Sequence, residues 1–365
     1  RGLGDVYKRQ EYGGRSSSVM DVRIRDGNKK KHSGKVGAST FGLKTMLEGP
    51  LIKLTEEGQT SASYLVSIKH SYLPQTSKLL YPYAATGSLP FYYTDVYGKA
   101  SVTSGSGSKW SVFGFNFNDK VDYSSIARYS WKNKGMGTQF VMVPEGTNLL
   151  IEGLFAYSNY SMTFVNPQIE EEFKGSGINN FNAGFNFVKI NGLNEWRFGF
   201  EGIISDTRYT AQLKDYQPDD ISRSTTDIGA FVKYKWLPGN QQGLVLEPSF
   251  RLQYYATLGI LSPEPRLAIK WNVADRFRIK GSGGLYSQTL ASANSDRDVV
   301  NLFYGFVNGP SKTYFPVNYY DKNGNPVSMG DGNADGIAQK ARHAVLGAEW
   351  DVFNDLELNI EVYEK

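Results

Sequence analysis

Strict two-residue alternation recurs along this chain in runs of similar length, and no other feature limits the fold so severely. From Leu244 to Tyr254 one face reads Leu244, Leu246, Pro248, Phe250, Leu252 and Tyr254, and the other Val245, Glu247, Ser249, Arg251 and Gln253. Leu267, Ile269, Trp271 and Val273 alternate with Arg266, Ala268, Lys270 and Asn272. Trp196, Phe198, Phe200, Gly202 and Ile204 alternate with Arg197, Gly199 and Glu201, and Leu356, Leu358, Ile360 and Val362 with Glu357, Asn359 and Glu361. Successive side chains of a strand point to opposite faces, so each run presents one apolar and one polar face. A helix would scatter the same residues around its circumference.

The connections carry a second regularity. Turn-like links fall at 53–59, 104–108, 144–147, 191–194, 237–243, 272–275 and 353–355. Between them lie longer polar links at 73–94, 124–137, 166–179, 215–226 and 291–340, with one brief exception at 262–265. An up-and-down transmembrane barrel predicts this alternation of clipped periplasmic turns and longer external loops, whereas a sandwich or propeller does not. Wall segments number about 14, each of roughly 9–11 tilted residues, enough to cross a bilayer. The expected fold is therefore all-β: an incomplete antiparallel barrel, an open curved sheet whose first and last strands lack neighbours.

Composition agrees. The 24 Tyr, 21 Phe, 6 Trp and 39 Gly suit strands, tight turns and interfacial rings. Trp131, Trp196, Trp236, Trp271 and Trp350 fall mostly near expected strand ends, where indoles favour the membrane interface. No apolar run reaches the roughly 18 residues of a transmembrane helix. The mean hydropathy of −0.41 is compatible with a barrel, because only alternate residues face lipid. The 40 basic and 36 acidic residues are interspersed, so no nucleic-acid partner is expected. Without Cys there is no disulfide framework or thiolate metal site. The three histidines lack zinc spacing and lie near no nucleophile motif, so neither enzyme activity nor a cofactor is expected.

The run Glu11-Tyr12-Gly13-Gly14-Arg15-Ser16-Ser17-Ser18-Val19-Met20-Asp21-Val22-Arg23-Ile24-Arg25-Asp26-Gly27-Asn28 resembles the last part of the plug domain of TonB-dependent outer-membrane receptors. Leu47-Glu48-Gly49-Pro50-Leu51-Ile52 resembles that family's first barrel strand. Glu264-Pro265-Arg266-Leu267 and Val345-Leu346-Gly347-Ala348-Glu349-Trp350 resemble later ones. The plug run is fairly specific, and the strand motifs alone are weak. The resemblance covers nearly everything after Glu11 and implies the end of a plug at 11–31 and a partial barrel at 32–365. Residues 1–10 do not fit the plug; they are read as a non-native junction, with a divergent plug strand as the alternative. The chain opens on Arg1, and its natural start is expected upstream. A family barrel has about 22 strands, so further strands, most of the plug and the segment engaging a periplasmic energy-coupling protein are expected outside this sequence.

The resemblance implies a receptor in the bacterial outer membrane, bounded by its lipid, that takes up a scarce external ligand of the iron chelate, cobalamin or glycan class. A passive porin is the alternative, and a soluble adhesive β protein the third. Plug cations are Arg15, Arg23 and Arg25; alternation turns Glu201, Glu247, Glu349 and Glu361 inward. The resemblance sets Arg15 against Glu247 or Glu201, although such charges can equally serve only to solvate a wet lumen. Gly13-Gly14 reads as a tight backbone path, since no helix start follows. Ligand-facing candidates are Tyr81, Tyr83, Phe91, Tyr92 and Tyr93 in one loop and Tyr304, Phe306, Tyr314, Tyr319 and Tyr320 in another. Asp331, Asn333 and Asp335 have the opening of a calcium loop but lack its closing Glu, Arg342 standing there, so a turn is the stronger reading.

Overall fold

The computed structural model describes residues 12–14, 21–56, 58–81, 83, 89–123, 127–169, 173–212, 219–240, 243–289, 338–353 and 355–364, with the backbone of four short strand segments between 291 and 328. The chain divides into two compact units. One holds residues 20–222 and 292–307, the other 1–19, 223–291 and 308–365.

In the first unit β1 (Ser33–Ala38), β2 (Gly42–Ile52), β3 (Ser61–Ser71), β4 (Phe91–Thr103), β5 (Lys109–Tyr123), β6 (Ala127–Met142), β7 (Leu149–Val165), β8 (Phe173–Asn191) and β9 (Asn194–Gln212) pair in chain order, all antiparallel. One helix, α1 (Leu73–Leu80), lies between β3 and β4 with Pro74 in its first turn, where a missing N–H costs nothing. β10 (Asp219–Lys235) straddles the division. In the second unit it is followed by β11 (Leu244–Tyr255), β12 (Ile260–Ala274), β13 (Phe277–Gln288), β14 (Gln339–Phe353) and β15 (Leu356–Glu364), again neighbours in sequence order. The sheet order thus contains fifteen strands without a crossover, against an expectation of about fourteen.

Strand length departs from expectation. β8 and β9 have 19 residues each, twice the forecast. The link expected at 124–137 is mostly β6, which begins at Ala127. The link expected at 262–265 lies inside β12, and the turn is at 256–259. That stretch contains Pro263 and Pro265. The β12–β13 register begins at Arg266, so both prolines sit where β12 pairs on one side, the edge-like setting that tolerates a missing N–H.

Burial is inverted relative to a soluble sheet. On β12, Ser262, Glu264, Arg266 and Ala268 are buried, while Leu261 and Leu267 on the other face are exposed. On β11, Glu247, Arg251 and Gln253 are buried, and Phe250, Leu252 and Tyr254 exposed. Charged residues are almost never buried without partners, so the polar face must be internally satisfied and the apolar face must meet something other than water.

Register shows where the first unit's apolar face stops. One row across β5–β9 reads Gly114, Met136, Tyr157, Phe181 and Ile204; the next on the same face reads Asn116, Lys134, Asn159, Asn179 and Asp206. Beyond it the face stays largely polar. The polar extension of these long strands is what imitated a loop in the sequence. Trp110 and Trp196 stand on the apolar face beside the short turns in this unit, as do Trp236, Trp271 and Trp350 in the other. Trp131, expected with them, lies instead on the opposite face of β6.

Candidate functional site

Each unit carries part of the N-terminal segment on its polar face, here called the inner face. In the first unit residues 21–28 lie against β2, β4 and β5. Glu48 on β2 accepts two hydrogen bonds from the Arg25 guanidinium, the Nη2–Oε1 contact being 2.8 Å. It also accepts the Asn28 backbone N–H at 3.1 Å and the Ser33 hydroxyl at 3.3 Å. The hydrogen bonds from Arg25 to Glu48 hold the guanidinium above its ordinary pKa against the opposing effect of burial.

Asp26 lies between two lysines. Its carboxylate oxygens are 2.9 Å from Lys99 Nζ and 2.6 Å from Lys109 Nζ. The Lys99 side chain is only 4% exposed and also donates to the Ile24 carbonyl at 2.7 Å. Burial raises the Asp26 pKa, but hydrogen bonds and charge from Lys109 and Lys99 outweigh it and hold the carboxyl below its usual range. Lys29 Nζ donates to Thr103 Oγ1 at 2.8 Å, and the Lys29 carbonyl accepts from Leu54 N at 2.9 Å.

In the second unit residues 12–14 meet a buried polar network. Arg266 donates to the Tyr12 carbonyl at 2.7 Å and lies 2.5 Å from Glu264, both side chains 1% exposed. Glu264 accepts the Ser287 hydroxyl at 2.5 Å, and Ser287 contacts the Tyr255 hydroxyl at 2.8 Å. The Tyr286 ring stacks 4.3 Å beneath the Arg266 guanidinium. Arg251 donates to Gln253 Oε1 at 3.0 and 2.8 Å. A Cβ on Gly13 would overlap the Arg251 guanidinium, and Gly14 has φ +67°, so both glycines serve the tight backbone path expected of them.

Further along the first unit's inner face, beyond the docked segment, the residues are aromatic. Phe115 and Phe117 of β5 stack at 5.0 Å between centroids. Tyr129 of β6 stacks on Trp131 at 5.7 Å and meets Phe164 of β7 at 5.2 Å. Register places Tyr97 beside Phe115 and Tyr160 on the same face. The sequence reading missed this surface: Phe113, Phe115 and Phe117 share one face of β5 and Gly114, Asn116 and Asn118 the other, so alternation alone would assign the rings to the apolar outer face, whereas the register turns them inward.

The nominated residues are only partly brought together. Arg25 reaches the wall but meets Glu48, which was not nominated. Arg23 lies 2.8 Å from Asp21 two residues away. Glu201 and Glu247 are on inner faces, while Arg15, the partner expected for them, lies outside the described residues. Glu349 lies 3.2 Å from Arg278 and also pairs with Lys280, both neighbours on β13. Phe91, Tyr92 and Tyr93 belong to β4 rather than a loop, and the register turns Tyr92 to the outer face. Tyr81 stacks on Phe41 at 6.3 Å and meets Tyr83 at 6.3 Å, beside α1. The backbone of Tyr319 and Tyr320 forms a short ribbon with residues 326–327. Tyr304, Phe306, Tyr314 and the calcium candidates Asp331, Asn333 and Asp335 lie outside the described residues.

No family model and no curated protein matches the chain. Solved structures do. The alcaligin outer-membrane receptor FauA of Bordetella pertussis aligns over 93% of this chain and 52% of its own, with a TM-score of 0.55 and 10% identity. The siderophore receptor PirA of Acinetobacter baumannii aligns over 92% and 52%, with a TM-score of 0.59 and 10% identity. For the copper transporter OprC the coverages are 94% and 55%, the TM-score 0.58 and the identity 10%. This is the fold of the TonB-dependent outer-membrane receptors. The chain spans about half the length of the structures it matches. The likeness is one of fold, and it agrees with the resemblance carried by the N-terminal run.

Proposed function

We propose that this chain supplies wall strands and an inner segment to a bacterial outer-membrane receptor that takes up an external ligand by an energy-coupled route. The observation that carries the reading is a segment docked on the inner face by charged contacts, within a sheet whose outer face is apolar. The apolar outer face with tryptophans beside the short turns fits a lipid-embedded wall, and the short turns would then mark the periplasmic end. The inner segment distinguishes this reading from a passive porin, whose lumen needs no chain held across it. Coupling to a periplasmic protein belongs to the proposal and is supported by the resemblance of residues 11–28 to a plug.

The aromatic surface of Phe115, Phe117, Tyr129, Trp131 and Phe164 is the proposed ligand contact. Flanked by the hydroxyls of Tyr97 and Tyr160, it suits a compact ligand with an apolar ring face and polar edges, a metal chelate above a long glycan. Alcaligin, siderophores and copper, named for the matched structures, fall within or near that class.

Uptake of a ferric siderophore panel, cobalamin and oligosaccharides, measured in cells with and without an uncoupler, tests the reading. A receptor gives saturable, uncoupler-sensitive uptake of one class, weakened about tenfold by Trp131→Ala and unaffected by Trp271→Ala on the outer face. Uptake that neither saturates nor responds to the uncoupler would support the porin instead.

A further inference from the structure

The outer face of the first unit gains positive charge where its apolar rows end. On β6, Met136 belongs to the last apolar row, Lys134 to the first polar row and Lys132 to the next. Both lysines are exposed. Their cross-strand neighbours are amides and hydroxyls: Asn116 and Asn159 flank Lys134, and Asn118 and Ser161 flank Lys132. Among the described residues no carboxylate lies within ion-pair distance of either lysine. Farther along, Asp122 takes Arg128 at 3.0 Å and lies 3.9 Å from Lys120, so the opposite charge is engaged away from this pair.

Two unneutralised ammonium groups on neighbouring rows repel one another, and a soluble surface gains nothing from placing them against a lipid-compatible face. An anion seated between them changes that balance. The amides and hydroxyls beside them add neutral donors, the complement a phosphate monoester or diester needs. Met136 and Tyr157 next to the lysines offer apolar surface to hydrocarbon.

We infer that Lys132 and Lys134, with Asn116, Asn159 and Ser161, bind the phosphate of an outer-leaflet lipid whose acyl chains lie along the apolar rows beside Met136. The inference rests on the membrane reading above and adds a lipid-binding surface to it. Free inorganic phosphate lacks the acyl contacts and is not the intended ligand.

The test uses the full chain folded in neutral detergent, with native mass spectrometry counting retained diphosphoryl lipid A against its dephosphorylated analogue. A Lys near an anionic headgroup changes affinity about fivefold, so Lys132→Gln/Lys134→Gln lowers retention of the phosphorylated lipid by roughly thirtyfold, with little effect on the analogue. Lys132→Arg/Lys134→Arg retains binding, which also guards against loss through misfolding. Equal retention of both lipids, an equal loss in Lys189→Gln at the opposite end of the wall, or saturation by millimolar inorganic phosphate would overturn the inference. A chain that stays soluble and folded without detergent would instead overturn the membrane reading itself.

Discussion

Asp26→Asn tests how the inner segment is held. The substitution keeps the side chain's shape and removes the charge between Lys99 and Lys109. Lys109 is partly open to solvent, so its contact is worth at most about 1 kcal/mol. Lys99 is nearly buried and would keep the Ile24 carbonyl as a partner for a full ammonium charge. Removing one member of a buried pair costs about 3–5 kcal/mol, and retained water access at Asp26 places this case near the lower bound. A loss of about 3 kcal/mol corresponds to roughly a 160-fold drop in protection. Hydrogen exchange of residues 21–31 in the full chain, reconstituted in lipid, reads this directly. Protection within threefold of wild type would refute the account.

Acid supplies a second arm. The Asp26 pKa is lowered in the folded protein, so its contribution is complete above the ordinary carboxylate value of about 3.9 and is lost as pH falls through the folded value. Wild type and Asp26→Asn should therefore differ at pH 7, and the difference should shrink as pH falls below the ordinary carboxylate value. Comparing the two proteins cancels the titration of Glu48 and other shared carboxylates. A difference that did not shrink on acidification would mean that shape, not charge, holds the segment.

Three further outcomes follow from the second unit and the outer face. Gly13→Ala drives a methyl group into Arg251, which is buried and fixed by Gln253; protection of residues 12–14 should fall by about 1–3 kcal/mol, and unchanged exchange would show that the close approach is not required. Arg266→Met leaves Glu264 buried with Ser287 and should cost about 3–5 kcal/mol in denaturant unfolding from lipid, while Arg266→Met/Glu264→Leu should recover most of it; a double variant no better than the single would exclude an electrostatic cause. Phe200→Arg, midway between Trp196 and Ile204 on the outer face of β9, should destabilise the chain in bilayers by about 2–4 kcal/mol, against less than about 0.5 for Arg208→Ala beyond the apolar rows. Equal effects at the two positions would contradict a lipid-facing wall.

Alternation revealed the wall because one polar and one apolar face were both forced, and it failed where that contrast faded. β6 carries Lys132, Asn133, Lys134 and Gly135 in succession, polar or small on both faces, because this part of the strand lies beyond the apolar row that ends at Met136. Period-two logic has nothing to grip there, and the segment looked like a loop. Pro263 and Pro265 concealed the start of β12 for a different reason: a missing N–H argues against a central strand unless pairing is known to lapse on one side. Glu48 was legible in principle, since alternation with Leu47 and Gly49 turns it away from the apolar face. Its pairing with Arg25 was not, because a strand's face says nothing about which cation of a separate segment will lie above it.

The two inner-face arrangements differ in what they resist. Residues 21–28 bring almost no apolar adhesion: Val22 is 68% and Ile24 42% exposed. Their hold consists of charged contacts, and Arg25, whose side chain is 55% exposed, remains within reach of water throughout. Water can replace the Arg25 contacts one at a time, so a pull on this segment meets small barriers there and one larger barrier at the nearly buried Lys99–Asp26 pair. In the other unit Glu264 and Arg266 are both wall residues, two apart on one strand and nearly inaccessible to solvent. Breaking that pair would strand two buried charges and gain no hydration in exchange, which makes it a fixture of the wall. The amides of residues 21–28 should thus exchange well before those of β12.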